Sequence, residues 1–407
     1  MQRRHLLQAL SLTALAAPGT RLFAAADEVP NAERPRFLLV FLRGGYDATH
    51  LLVPVSSSYY YEQRPKIAIA RPGTGTDAAL PVNADWGLHP ALRESVYPLL
   101  QQGQALFIPF AGTEDLSRSH FETQDSIELG QSLAGQRDFQ SGFMNRLATE
   151  LGARQAIAFT EQLPLCLRGP AKIGNVALRD GPRPVADAKT RELISAMYRE
   201  QALRPQVEEG FALRDEVARE LSPAVMKEMD AASRNAINAK GFELEARRIA
   251  RLMRGRVQLG FVDIGGWDTH VGQGGASGAL ASRFEELGRG LAAFSEELGP
   301  AAWRHTTVMV ISEFGRTFRE NGNRGTDHGH GSSYWLLGGG LAANSSGGVA
   351  GEQIALTATT LNQGRDYPVL SDYRAVLGGL WRRQFGLSGA ALERVFPGAA
   401  PRELGLV

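Results

Sequence analysis

The chain of 407 residues has a single cysteine, Cys166, so no disulfide can form within it. Its neighbourhood, "LPLCL", reads as a buried strand, and an inert core thiol is the simpler reading of the residue. Charge of one sign is missing too. The 44 Lys and Arg balance 43 Asp and Glu to a formal +1, and no basic block alternates with aromatics. That excludes nucleic acid as a partner. The apolar stretch near the start is broken by Pro18 and Gly19 and is too short to span a bilayer, so no transmembrane segment is expected in the mature chain. Neither a repeat of solenoid period nor a low-complexity tail is present.

What is there in quantity is apolar residue, 43%, and glycine, 46 residues, often paired beside polar side chains where backbone must approach something closely. The opening "MQRRHLLQALSLTALAAPGTRLFAAADE" has Arg3 and Arg4, a modest apolar stretch, and Ala24-Ala25-Ala26 before the first acids. This is the pattern of a twin-arginine signal peptide over residues 1–26, which implies the twin-arginine translocase as an export partner and a periplasmic or secreted location.

Apolar runs bounded by turn residues predict strands at 37–42, 105–110, 156–160, 257–264, 306–312 and 334–339. Between them, apolar residues recur every three or four positions, as in "SHFETQDSIELGQSL" and "ALASRFEELGRGLAAFSEELG". The alternation predicts an α/β fold over 27–407 as a single domain, with a mainly parallel sheet sandwiched between helices. From about 187 to 254 the pattern is nearly continuous helix, read as an inserted helical layer or cap.

Polar clusters follow the predicted strands. Arg43 and Asp47 end the first; Ser117, Ser119 and His120 follow the second, before a helix; Asp263, Asp268 and His270 end the fourth. Glu313 and Arg316 end the fifth, and the loop beyond it carries Asp327, His328 and His330. Singly, each is a cap or a turn. In a parallel sheet, however, these strand ends share one edge, where ligands gather, and so many carboxylates in one crevice call for a cation. Asp, Glu and His are ligands of divalent zinc, manganese and related ions. Ser119 at a helix start is a candidate nucleophile, with Ser117 and Thr123 as rivals, because unpaired N–H groups there favour an anion.

The motifs "FLRGGYDATHLLVP", "SRSHFETQD", "DIGGWDTHVGQ" and "SEFGRTFRENGNRGTDHGHG", with the twin-arginine start, resemble the bacterial family of domain of unknown function 1501, in the same order along nearly the whole mature chain. That family is grouped with the alkaline phosphatase and sulfatase superfamily. The resemblance implies an alkaline phosphatase-like fold and a site of one or two divalent metals, zinc, manganese or calcium. It places Asp47, Asp263, Asp268, His270, Glu313 and His328 or His330 among the candidate ligands and Ser119 at the nucleophile's place; Asp327 joins the ligand candidates by its position, and Arg43 and Arg316 are the candidates to stabilise developing charge in catalysis on a phosphate or sulfate ester, of a small molecule or a polysaccharide. "SEFG" stands where the superfamily has "SDHG", so Glu313-Phe314 replaces an Asp-His pair. A single-metal site, an altered arrangement, or a ligand-binding site without turnover are the alternatives.

Overall fold

The computed structural model describes residues 31–134, 136–152, 156–176, 188–208, 210–212, 241–342 and 346–407. The expected signal segment 1–26 lies outside them, as do 213–240 of the expected helical layer. The strands are β1 (Arg36–Leu42), β2 (Leu52–Pro54), β3 (Leu80–Pro81), β4 (Trp86–Leu88), β5 (Ala105–Gly112), β6 (Ala156–Ala158), β7 (Gly174–Asn175), β8 (Leu259–Ile264), β9 (Thr306–Ser312), β10 (Ser332–Gly338) and β11 (Ser371–Asp372). Eight form one sheet in the order β11-β5-β10-β9-β1-β8-β6-β7, and β2, β4 and β3 make a small antiparallel sheet.

β1 lies at the centre, parallel to both β8 and β9, and every one of its residues is buried. Such a strand must be apolar on both faces, which is why "FLLVFL" does not alternate. Its side chains divide between two cores. Leu38, Val40 and Leu42 join the cluster with helices Phe242–Arg254 and Ala279–Leu298, whereas Phe37, Leu39 and Phe41 join the one with helices Phe143–Glu150 and Tyr373–Phe385. Helix Ala279–Leu298 turns Leu280, Phe284, Leu287, Leu291, Phe294 and Leu298 onto the sheet at helical spacing. Each such burial is worth about 1.5–3 kcal/mol. Gly299, at φ 78°, ends the helix where a side chain would be strained.

The sheet is mostly parallel, as expected, and β10 is an exception that runs antiparallel to both β5 and β9. The polar segment between β9 and β10 stays at one edge and has no crossover helix to carry the chain back, so the strand must return in the opposite sense. "LPLCL" is a short 3₁₀ turn, Leu165–Leu167, rather than a strand. Pro164 has no N–H for a ladder, and the Cys166 N–H instead donates to Glu128 Oε2 at 3.1 Å. Cys166 itself is buried, and burial pushes its thiol well up. Among the described residues, no helix is long and apolar enough to cross a membrane.

Candidate metal centre

The carboxyl ends of β1, β5, β8 and β9 and the start of β10 meet at one edge. Helix His120–Leu129 begins there, with the Ser119 hydroxyl accepting from the Glu122 N–H at 3.5 Å, and this sets His120 at the helix's first position. Asp268 and His270 stand on the loop after β8, and His328 on the loop that feeds β10.

These residues come together. One ligand atom each from His120, Asp268 and His328 lie within 4.8 Å of one another. His270 Nε2 is 2.9 Å from Asp268 Oδ1 and 3.0 Å from His328 Nε2. His120 Nε2 and His328 Nε2 each stand 3.4 Å from an Asp268 oxygen.

The far nitrogen of every imidazole is anchored. His120 Nδ1 is 2.8 Å from Glu313 Oε1, His270 Nδ1 is 3.3 Å from Asp327 Oδ1, and His328 Nδ1 is 3.0 Å from the Arg118 carbonyl oxygen. Partners that can only accept assign the proton to Nδ1 in each ring, which leaves each Nε2 as an acceptor. Three acceptor nitrogens then face an acceptor carboxylate, and His120 Nε2 is buried without a hydrogen-bond partner. A cation placed among these acceptors would satisfy them, and nitrogen and oxygen donors of this kind suit a divalent transition metal, so the residues fit the group.

Electrostatics follow from the same contacts. The hydrogen bond to Glu313 raises the His120 pKa, although burial opposes it. Burial, helped by the nearby Arg316, lowers that of His328. Burial alone would raise the Asp268 pKa, but hydrogen bonding to Arg316 holds it below the ordinary value. Asp327 is held down first by Asn321. The Asp268 side chain is 43% exposed and that of His328 26%, so the cluster is open to an incoming molecule.

Glu313 is buried and does not enter the cluster. Its Oε1 accepts from the Gly44 N–H, the His120 ring and Gln124, each at 2.8 Å, and these bonds outweigh the burial that would raise its pKa. Gly44 can present its N–H there because its φ is +127° and a Cβ would lie 2.5 Å from the Asp268 nitrogen. Gly325 serves similarly in the loop beyond β9, where a Cβ would meet the His270 carbonyl oxygen at 2.3 Å.

Other expected site residues stand elsewhere. Asp47 is fully buried, and its carboxylate accepts from Arg64 Nη1 at 2.5 Å, Arg64 Nη2 at 3.1 Å and Gln273 at 2.7 Å. The Arg64 guanidinium and His50 hold it far below the usual carboxylate range despite burial, and its oxygens are taken up in that network. Asp263 pairs with Arg43 Nε at 2.6 Å. Arg43 also meets Gln124 at 2.8 Å and Glu128 at 2.9 Å, so its guanidinium is spent on the protein. Arg316 is not free to hold an anion. Only 2% exposed, it donates to the carbonyls of Gly44, Gly45, Trp267 and Thr326 and to Asp268. His330 is buried outside the cluster, and burial pushes its pKa down to about 4. Ser119 acts as the helix cap, and Ser117 Oγ lies 3.2 Å from Thr123 Oγ1. His120 is absent from the expected ligands; its place at a helix start beyond a strand end is the signal in the sequence that points to it.

The family model described as "Protein of unknown function (DUF1501)" matches residues 34–396. No curated protein matches the chain. A solved structure titled "Crystal structure of Ps i-CgsB in complex with k-i-k-neocarrahexaose" aligns with it at 9% identity over 78% of this chain and 68% of that one, with a TM-score of 0.33.

Proposed function

We propose, from the premise that the chain belongs to the DUF1501 family of proteins of unknown function, that it is an exported, metal-dependent hydrolase of phosphate or sulfate esters on an alkaline phosphatase-like fold. The observation that supports this reading is the convergence of three Nδ1-anchored imidazoles on Asp268 at an exposed sheet edge. His120, Asp268 and His328 would hold the ion, with His270 beside them. So many imidazoles favour zinc or manganese over calcium, which prefers oxygen ligands. Bound there, the ion supplies Lewis acidity toward an ester oxygen.

The chain's own residues do the rest. Glu313 fixes the His120 ring through Nδ1, Asp327 does the same for His270, and the buried Arg316 orients the Asp268 carboxylate. Ser119, half-buried beside His120, offers the attacking hydroxyl once it leaves its weak 3.5 Å capping contact.

A second reading, an exported ligand-binding protein without turnover, is favoured by one specific feature: Arg43 and Arg316, the arginines expected to steady developing charge, are both occupied by protein partners. Elemental analysis of the native protein, combined with aryl phosphate, phosphodiester and aryl sulfate substrates under added zinc or manganese, separates the two. Stoichiometric metal with turnover supports the hydrolase, and metal without turnover supports the binding protein. A metal-free protein that melts identically in chelator would sink the hydrolase reading.

A further inference from the structure

Beside the metal candidate lies an open cleft of about 830 Å³ that none of its histidines lines. It is walled by the segment after β6, the turn after β8, and residues of helices His120–Leu129, Phe242–Arg254 and Ala279–Leu298. The Arg43, Asp263 and Glu128 network forms one side. Gln124 links that side to the metal candidate, bonding both Arg43 and Glu313 at 2.8 Å.

Three features define what the cleft would take. Its volume suits a ligand of one or two sugar rings. Among the described residues, six carboxylate-bearing side chains line it against three arginines, an excess of negative charge that repels phosphate- or sulfate-bearing molecules. Two of its lining donors, Trp267 Nε1, on a residue only 1% exposed, and Arg283 Nε, have no acceptor among the described residues. A cationic amine would pair with the Asp125 and Glu161 carboxylates but leave both donors unanswered. Hydroxyl groups both donate and accept, so an uncharged polyol answers the two requirements together.

We infer that this cleft is a binding site for an uncharged sugar unit, separate from the metal candidate and independent of its chemistry. The turn after β8 supplies the means of testing it. Gly265 lines the cleft, and a Cβ built on it meets nothing within 4 Å, so Gly265→Leu adds bulk to the cleft wall from a point where no protein atom is displaced. Asp125→Asn combined with Glu161→Gln removes two lining charges from half-buried and exposed positions.

Titration calorimetry of the mature chain, with and without chelator, would use oligosaccharides of glucose, galactose and N-acetylglucosamine, their sulfated forms, and glucosamine oligomers. The expected result is binding of a neutral member at least about tenfold tighter than its sulfated form, equal in chelator, and weakened about tenfold or more by Gly265→Leu. The charge-removal pair should narrow the neutral-to-sulfated ratio. Binding of none of the neutral sugars, preference for sulfated or amine-bearing forms, or unchanged affinity in Gly265→Leu would each overturn the inference. Because binding is read without turnover or metal, its failure leaves the hydrolase proposal to its own test.

Discussion

Replacing Asp47 by asparagine keeps the shape of the side chain and removes its charge. In the folded protein that charge faces Arg64 across bonds of 2.5 and 3.1 Å, with both side chains fully buried. Breaking one partner of such a pair strands the other, at a cost of about 3–5 kcal/mol. Arg64 cannot escape, because its remaining donors are fixed to the carbonyls of Phe318 and Thr317 at 2.7 and 2.9 Å. For a chain of this size the loss corresponds to a drop of roughly 6–10 °C in melting temperature, near 2 °C per kcal/mol. Denaturant unfolding monitored by circular dichroism would give the stability, and elemental analysis of the same preparations the metal content. The expected outcome is a large loss of stability with metal stoichiometry unchanged. Adding Arg64→Met should recover part of the loss, though not all, since the two carbonyls then lack their donor. An Asp47→Asn protein within about 0.5 kcal/mol of wild type that has lost its metal would refute the assignment of Asp47 to a structural ion pair and return it to the ligand set.

Three further outcomes are expected. His328→Ala should abolish any rise in melting temperature on adding zinc, which in the wild-type chain reaches about 2.7 kcal/mol of stabilisation at a hundredfold excess over Kd; an undiminished rise would remove His328 from the site. Glu313→Gln should weaken zinc binding about 10–100-fold through a loosened His120, read by competition with a chromophoric chelator, and should do so without emptying the site at saturating metal. His89, whose Nε2 meets the Gly275 carbonyl at 3.1 Å and whose Nδ1 accepts from the Ala91 N–H at 3.1 Å, is held neutral, its pKa pushed by burial down to about 3. Unfolded, it takes a proton below about pH 6.5, so its contribution to stability is whole above that pH and is lost as pH falls toward 3, by up to about 1.4 kcal/mol per unit. His89→Asn, which keeps a capping acceptor but cannot titrate, should flatten the dependence of the urea midpoint on pH between 7 and 5; an unchanged slope would exclude His89 as its source.

The strands were legible because buried parallel strands are apolar on both faces, and "FLLVFL" and "TTVMVIS" needed no partner information to be recognised. Direction was less accessible, since the sense of β10 depends on a loop that never crosses the sheet. Asp268, His270 and His328 could be picked out from their positions beyond strand ends. The fate of Asp47 could not, because its partner Arg64 sits on a separate turn, and nothing local says that a guanidinium will be buried against it. Arg316 was misread for the same reason. Its donors are consumed by carbonyls of Gly44, Gly45 and Trp267, distant in sequence and near only after the turns following β1 and β8 come together. His120 was within reach, since a histidine opening a helix at the sheet's carboxyl edge is placed like the others.

The central position of β1 bears on how the molecule is made. Its neighbours are residues 259–264 on one side and 306–312 on the other, so the first strand to leave the ribosome can pair with neither until most of the chain has been synthesised. At about 5–20 residues per second that is a wait of roughly ten to fifty seconds with the apolar run Phe37 to Leu42 bare and open to wrong pairing.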